Sequence, residues 1–423
     1  MIKSIIFHFK KNKELIKDNL ILFSAISFAN LLNYVFHFYA GRTLGPSDYG
    51  VFGVLLSIIY LIVLPLMAIQ TTLSKFVAEL NAKNEINKIS YLFHKSIKKI
   101  GLIGIVISIF FLAISPILSS FLRIGIISPL IILGISIVFA FLVPVLRGFL
   151  QGLQKFNLLG VTFIVESLTK IFLGIPLIFL GFGVNGAVGA FSLGFLFQLI
   201  GVFHFIRKLF AGAKEKFITS DIYKYSLPVL IMLISLTAFY SLDVILVKRL
   251  FDPITAGHYA ALSLFGKIIF FASISISMVM FPKISELKAN NRGHKSLLLK
   301  SLMIALLLGL IASLFYFLMP KFIIGLLFGK EYLVISELLG IFGIVMTIYS
   351  LSYIIAYYNI ALNRIKFLYL LIFFNLLEIV LILLFHSSLF VIVMILLIII
   401  LLLFLSLIVY TLVYKETYNK SNY

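Results

Sequence analysis

AGRTLGPSDYGVFGVLLSIIYLIVLPLMAIQTTLSKFVAEL, residues Ala40–Leu80, is the stretch whose reading decides the fold. It holds a polar turn, a long apolar run, and a polar exit that closes on Lys75 and Glu79. The turn, Gly41–Gly50, places Pro46 among glycines. Proline cannot continue a helix, and glycine permits positive φ. Two long helices are therefore predicted to meet here through a tight loop.

Apolar runs of about 20 residues recur along the whole chain, each enough to cross a ~30 Å hydrocarbon core as a helix. Of the 423 residues, 62% are hydrophobic and 12% charged. A soluble domain has about 25% charged residues, so a soluble globular fold is excluded. The formal charge of +20 reflects lysines and arginines placed between apolar runs. That pattern is the orienting charge of cytoplasmic loops rather than a nucleic-acid footprint, and no nucleic-acid partner is expected. Cys is absent, which removes disulfides, Cys-based metal sites and thiol nucleophiles. Trp is absent too, so Tyr and Phe supply any interfacial belt. Met1–Asn19 has only a short apolar stretch before Lys10, so no cleavable signal peptide is expected. Ile2, Ile5, Ile6 and Phe9 share one helical face, as in an amphipathic helix lying on the inner leaflet.

Twelve spans are predicted, near 19–41, 49–73, 99–121, 126–147, 157–181, 184–206, 225–250, 257–281, 298–319, 335–358, 366–386 and 389–413. With the N-terminus in the cytoplasm, inner segments carry 27 Lys and Arg and outer loops 6, while Lys170 and Lys267 fall inside spans. This asymmetry supports an even span count with both termini cytoplasmic, in a multi-pass protein of the cell (inner) membrane. The outer loops are short, and the longest lies around Lys321–Ser336.

The two halves repeat. Arg249–Leu287, RLFDPITAGHYAALSLFGKIIFFASISISMVMFPKISEL, echoes Arg42–Leu80. Each has an Arg, a Pro/Gly turn with an acid (Asp48, Asp252), then Gly and Tyr, an apolar helix, and a basic exit. A weaker echo links Leu153-Gln154-Lys155 with Leu362-Asn363-Arg364. The expected fold is an all-α polytopic membrane protein with two parallel six-helix lobes, 1–213 and 214–423, divided at the polar segment Lys208–Asp221. Parallel repeats of this kind are related by an axis along the membrane normal, with the substrate path between them.

Charges inside spans cost roughly 2.5–3.5 kcal/mol on insertion scales and mark functional candidates. Glu166 and Lys170 lie four apart on one face of span 5, either as a self-neutralising pair or as a cavity-lining one. Asp243 in span 7 has no opposite charge within one turn; Lys267 sits midway through span 8 and needs a wet cavity or an acid such as Asp243. Glu378 in span 11 has Asn375 one turn before it. Asn30, Asn33, Tyr34 and His37 form a polar stripe on span 1, serving either helix packing or a cavity face, with Arg42 at its outer end as an anion contact or a headgroup anchor. Gln70, Arg147 and Gln151 lie near inner ends, where interface solvation accounts for them.

The segments AGRTLGPSDYGVFG, LSKFVAEL, RGFLQGLQKFNLLG and AGHYAALSLFGKIIFFASISISMVMFPKISEL together resemble the polysaccharide-exporting branch of the MOP (multidrug/oligosaccharidyl-lipid/polysaccharide) flippase superfamily. The resemblance covers essentially the whole chain and is densest in spans 1–2 and 7–8. It implies a MATE-like pair of alternating lobes. It further implies flipping of a polyprenyl-(pyro)phosphate-linked oligosaccharide from the inner to the outer leaflet. No catalytic residues and no cofactor are implied, and H⁺ or Na⁺ is the candidate coupling ion. Membrane lipids and polysaccharide assembly proteins are the other expected partners. Twelve spans argue against the fourteen-span lipid II flippases, which are otherwise similar.

On this reading Lys267 and Arg42 attract the anionic head, Asn30, Asn33 and Tyr34 meet sugar hydroxyls, and Glu166, Lys170, Asp243 and Glu378 are coupling or cavity charges. A drug/cation antiporter would need a cavity dominated by acids and aromatics, which the intramembrane lysines disfavour. Short outer loops disfavour a membrane glycosyltransferase or polymerase, and a scaffold role stays open. The chain lacks GxxxxGK[ST], HExxH and GxSxG, the signatures of an ATPase, a zinc protease and a serine hydrolase.

Overall fold

The computed structural model describes residues 2–209, 214–216, 220–289 and 292–413. The side chains of residues 2–21 and most of the divider Lys208–Asp221 lie outside the described residues. So do the inner-leaflet reading of Ile2, Ile5, Ile6 and Phe9 and the basic residues Lys415 and Lys420. Every regular element among the described residues is helical. Among the described residues nine helical runs are long and apolar enough to cross a membrane, and Leu368–Leu384 is a shorter apolar helix. Two of the nine, Ser24–Ala82 and Phe156–His204, are long enough for two crossings each. The chain divides into two compact units, one ending at Leu230 and the other beginning at Ile231.

The first unit opens with α1, Ile2–Val63, which is broken at one point. The predicted loop Gly41–Gly50 is in fact a single-residue kink: Gly45 has φ 70° and ψ 172°, and helix resumes at Pro46. A Cβ would obstruct that backbone, and proline at the first helical position sacrifices only an N–H with no helical partner. The hydroxyl of buried Tyr49 lies 3.3 Å from His37 Nδ1, tying the two legs across the kink. A short 3₁₀ turn at Leu64–Leu66 leads into α2, Met67–Ala82; α3, Ile86–Phe121, and α4, Ser128–Gly152, follow. Gly152 lets α4 approach α2 closely, since a Cβ there would fall 2.6 Å from Val77.

Span 5 is not a regular helix. α5, Phe156–Thr169, passes into a π-helical turn at Lys170–Gly174, a short α6 at Ile175–Leu177, and a second π-helical turn at Ile178–Phe182. Positive φ at Gly181 and Gly183 then turns the chain into α7, Gly183–Leu209.

The second unit is built around α13. α8, Ser220–Phe239, and α9, Leu242–Leu250, are separated by a break at Tyr240–Ser241, so predicted span 7 is discontinuous. α10, Pro253–Ala289, α11, Lys295–Leu318, and a short α12, Pro320–Leu327, come next. The long outer loop is thus largely helical, because α12 and a 3₁₀ turn at Lys330–Ile335 fill it. α13, Ser336–Ala361, is the most buried helix, and α14, Leu368–Leu384, and α15, Leu389–Val413, close the unit.

The sequence echoes have structural counterparts. Gln154 and Asn363 both adopt left-handed backbone, φ 58° and 56°. After each, the next N–H reaches five residues back, Lys155 to Leu150 O at 2.8 Å and Arg364 to Asn359 O at 3.0 Å. That is the same helix-ending motif in both places. Glu85 N–H likewise bonds Leu80 O at 3.0 Å and Arg292 N–H bonds Leu287 O at 2.8 Å, at the equivalent exits. The two turns reach one end by different chemistry: Gly45-Pro46 in the first unit, Asp252-Pro253 in the second. There Asp252 Oδ1 accepts the N–H groups of Ile254 and Thr255, each at 3.0 Å.

Candidate functional site

Each unit holds a cluster of interacting charges. In the first, Glu166 of α5 is the centre. One carboxylate oxygen accepts from Lys170 Nζ at 2.8 Å, and the other from Arg147 of α4 at 2.9 Å. Lys170 also donates to Asn33 Oδ1 of α1 at 3.1 Å, and Arg147 to Gln198 Oε1 of α7 at 3.0 Å and to Thr162 Oγ1 at 3.1 Å. Two aromatic rings complete the shell: Phe163 lies 3.7 Å from the Arg147 guanidinium, and Phe191 lies 3.9 Å from the Lys170 ammonium. Four helices thus meet on two cations and one carboxylate, a buried surplus of positive charge.

The local backbone places these groups. Glu166 and Lys170 are one helical turn apart, the acid on the N-terminal side, the favourable order for such a pair. Lys170 also opens the π-helical turn, a distortion often found at functional sites. Gly174 permits the close packing behind it, since a Cβ there would fall 2.5 Å from Phe36 and 2.7 Å from Ala190.

In the second unit Asp243 opens α9, just after the break at Tyr240–Ser241. Its carboxylate accepts the Tyr259 hydroxyl at 2.7 Å and the Val244 N–H at 2.7 Å. Lys267 of α10 is in electrostatic reach of Asp243, and its ammonium lies 5.7 Å from the Tyr240 ring. Glu378 of α14 is fully buried, is in electrostatic reach of Asp243, and neither of its oxygens has a hydrogen-bond partner among the described residues. Asn375 gives its amide hydrogens to Ser235 O and Leu371 O, which ties α14 to α8. Asp243 is thus in electrostatic reach of one ammonium and one further carboxylate, and Lys248 and Arg364 are also buried in this unit. A buried ionised carboxylate without compensation is strongly unfavourable, so Glu378 needs a proton or a bound cation.

The structure redistributes the sequence candidates. Glu166 and Lys170 pair as the spacing predicts, and Lys267 and Asp243 come together across helices. The stripe on span 1 does not act as one face. Asn33 joins the Lys170 network, His37 is buried against Tyr49, Tyr34 stacks on Phe38 at 6.3 Å, and Asn30 is exposed. Arg42 is exposed at the kink. Arg147 is a correction: the headgroup solvation expected from its place near a span end is replaced by a part-buried ion pair to Glu166, because α4 and α5 bring the two side chains together. Gln70 and Gln151, both half-buried, bond each other at 3.2 Å. Gln198, Thr162 and Tyr259 escaped the sequence reading; a single polar residue in a span carries no partner's address.

The model of the polysaccharide biosynthesis protein family matches residues 15–288. The chain belongs to this family. An uncharacterized membrane protein of Methanocaldococcus jannaschii is 26% identical over 291 residues, which are 65% of this chain and 68% of that one. Among solved structures, an inward-facing multidrug resistance MATE family transporter of the MOP superfamily superposes with TM-score 0.76 at 15% identity, covering 94% of this chain and 99% of the other. Lipid II flippase MurJ in an inward closed conformation follows at TM-score 0.71 and 17% identity, covering 93% of this chain and 87% of its own. These likenesses establish that the chain shares the fold of those two transporters.

Proposed function

We propose that this protein is a flippase that moves a polyprenyl-(pyro)phosphate-linked oligosaccharide, such as a polysaccharide repeat unit, from the cytoplasmic to the outer leaflet by alternating access. The observation that carries the reading is the intramembrane cation inventory: Arg147 and Lys170 against one carboxylate, and Lys267 beside Asp243. Buried ammonium and guanidinium groups are costly in a membrane and suit an anionic pyrophosphate head. The protein acts as a transporter rather than an enzyme, with twelve spans and both termini in the cytoplasm of a cell whose inner membrane holds it. Asp243 and Glu378 are the coupling groups, neutralised by H⁺ or Na⁺ in turn; polysaccharide assembly proteins are its partners.

A second reading, drug/cation antiport, draws on the acids of the second unit and their aromatic neighbours Tyr240, Tyr259 and Tyr349. The deciding experiment reconstitutes the protein in vesicles with a lipid-linked oligosaccharide and with a cationic dye in parallel. Oligosaccharide flipping that Lys267→Ala abolishes, in a variant that expresses and inserts normally, supports the flippase. Dye transport without oligosaccharide flipping overturns it.

A further inference from the structure

α14 and α15 form a hairpin whose arms differ in length, 17 residues against 25. They are joined through the short turn at residues 385–388, so the last two turns of α15 run past the start of α14. Phe367, just before α14, lies ring to ring with Tyr410 at 6.3 Å, which fixes this register. The mismatch opens a groove of about 700 Å³ at the end away from the hairpin turn. Leu370, Leu402 and Leu405 line its deep part, and Lys366, Ser406 and Tyr410 its mouth.

The dimensions match one membrane leaflet. At 1.5 Å per residue α15 is about 37 Å long, more than a ~30 Å core, so its end stands at headgroup level. From Val413 to Leu402 the groove runs roughly 16 Å, close to the ~15 Å half-thickness of that core. A tyrosine and a lysine at its mouth fit the interfacial belt. Lys366 is exposed and forms no ion pair among the described residues. On the far side, Asn359 Nδ2 donates to Thr411 Oγ1 at 2.8 Å and holds α15 to α13, so the groove has a fixed wall.

We infer that this groove binds one anionic glycerophospholipid, its phosphodiester against Lys366 and Tyr410 and an acyl chain along Leu370, Leu402 and Leu405. The charge chooses the occupant, because a basic residue at the mouth of a groove between transmembrane helices selects anionic headgroups. An uncharged lipid gains the chain contacts alone. The site lies outside both charge clusters and does not depend on what the protein transports.

The test titrates the purified full-length protein with dioleoyl phosphatidylglycerol, dioleoyl phosphatidylcholine, undecaprenyl phosphate and inorganic phosphate, read by native mass spectrometry. Phosphatidylglycerol is expected to bind about five-fold more tightly than phosphatidylcholine, the ratio that ~1 kcal/mol per basic side chain at a membrane surface gives. Lys366→Gln brings the ratio to about 1, and Lys366→Glu takes it below 1. Leu405→Trp, which fills the apolar part, weakens both lipids, and Lys321→Glu, an exposed lysine elsewhere, changes neither. Three results overturn the inference. They are equal binding of the two phospholipids, a preference that survives the Lys366 and Leu405 variants, and undecaprenyl phosphate binding there more tightly than phosphatidylglycerol. Retention of phosphatidylglycerol only after deletion of residues 414–423 overturns it as well, by showing that the chain's own end fills the groove. Inorganic phosphate is expected not to displace the lipid; full displacement rejects the acyl-chain contact.

Discussion

Arg147 and Glu166, nineteen residues apart and on different helices, meet at 2.9 Å inside the first unit. Lys170 takes the other carboxylate oxygen, so Glu166 alone holds two cations together. Removing one partner of a buried ion pair costs about 3–5 kcal/mol, mostly because a charge is left uncompensated. Glu166→Gln is therefore expected to be the most damaging change in the cluster, leaving Arg147 and Lys170 to repel each other. Arg147→Met leaves the Lys170–Glu166 pair standing and should cost less. Thermal unfolding of both purified variants gives the ranking; a Glu166→Gln protein as stable as wild type would remove the cluster's structural role.

The two clusters differ in make-up: two cations share Glu166 in the first unit, while in the second Asp243 is in electrostatic reach of both Lys267 and Glu378. The flippase reading turns this into a division of labour, with the head group attracted in one and the coupling ion taken up in the other. Glu378→Gln keeps the shape but removes the charge that H⁺ or Na⁺ would neutralise. Vesicle flipping by that variant should lose its response to an imposed pH or Na⁺ gradient while retaining slow downhill movement. Tyr259→Phe, which deletes the 2.7 Å donor to Asp243, should shift the gradient dependence without abolishing it. Gradient-driven transport unchanged in Glu378→Gln places coupling elsewhere.

Much of the fold could be read in advance, because membrane spans and loop charges are one-dimensional signals. The Arg42 and Arg249 echo ends at exits where, in the structure, Leu80 and Leu287 accept the same kind of backbone bond. The site was less legible. Glu166 and Lys170 were found because four-residue spacing is visible in a string, but Arg147 needed the packing of α4 on α5. The break at Tyr240–Ser241 carries neither Pro nor Gly, so nothing in the local sequence announced it. Kinks at Gly45 and Gly181 did carry the residue that permits them, though the first proved to be a single residue where a ten-residue loop was expected.

The kink at Gly45 rests on a backbone that side chains resist, φ 70° with ψ 172°. Gly45→Ala is expected to cost about 1–3 kcal/mol through that strain. Tyr49→Phe removes the contact to His37 across the kink and should cost about 1 kcal/mol. The two act on the same joint, so their combined effect should depart from the sum, as measured by unfolding of the single and double variants. Strict additivity would show that the tyrosine does not brace the kink.

Asp252 offers a pH test outside the membrane spans. The Thr255 hydroxyl, then the N–H groups of Thr255 and Ile254, hold its carboxyl below the usual carboxylate range. A folded-state value below the unfolded one, near 3.9, means the charged form is favoured by folding. The stabilisation is therefore complete above the unfolded value and disappears as pH falls through the folded one. Because the group is largely exposed, its size is that of a helix cap, about 1 kcal/mol. Asp252→Ala should unfold at lower temperature than wild type at pH 7, and the gap should narrow below about pH 4. Asp252→Asn keeps a capping oxygen without a titrating group, so its deficit against wild type should be small and its advantage over Asp252→Ala should persist in acid. A gap between wild type and Asp252→Ala that stays constant from pH 7 to acid would mean the carboxylate does not cap α10.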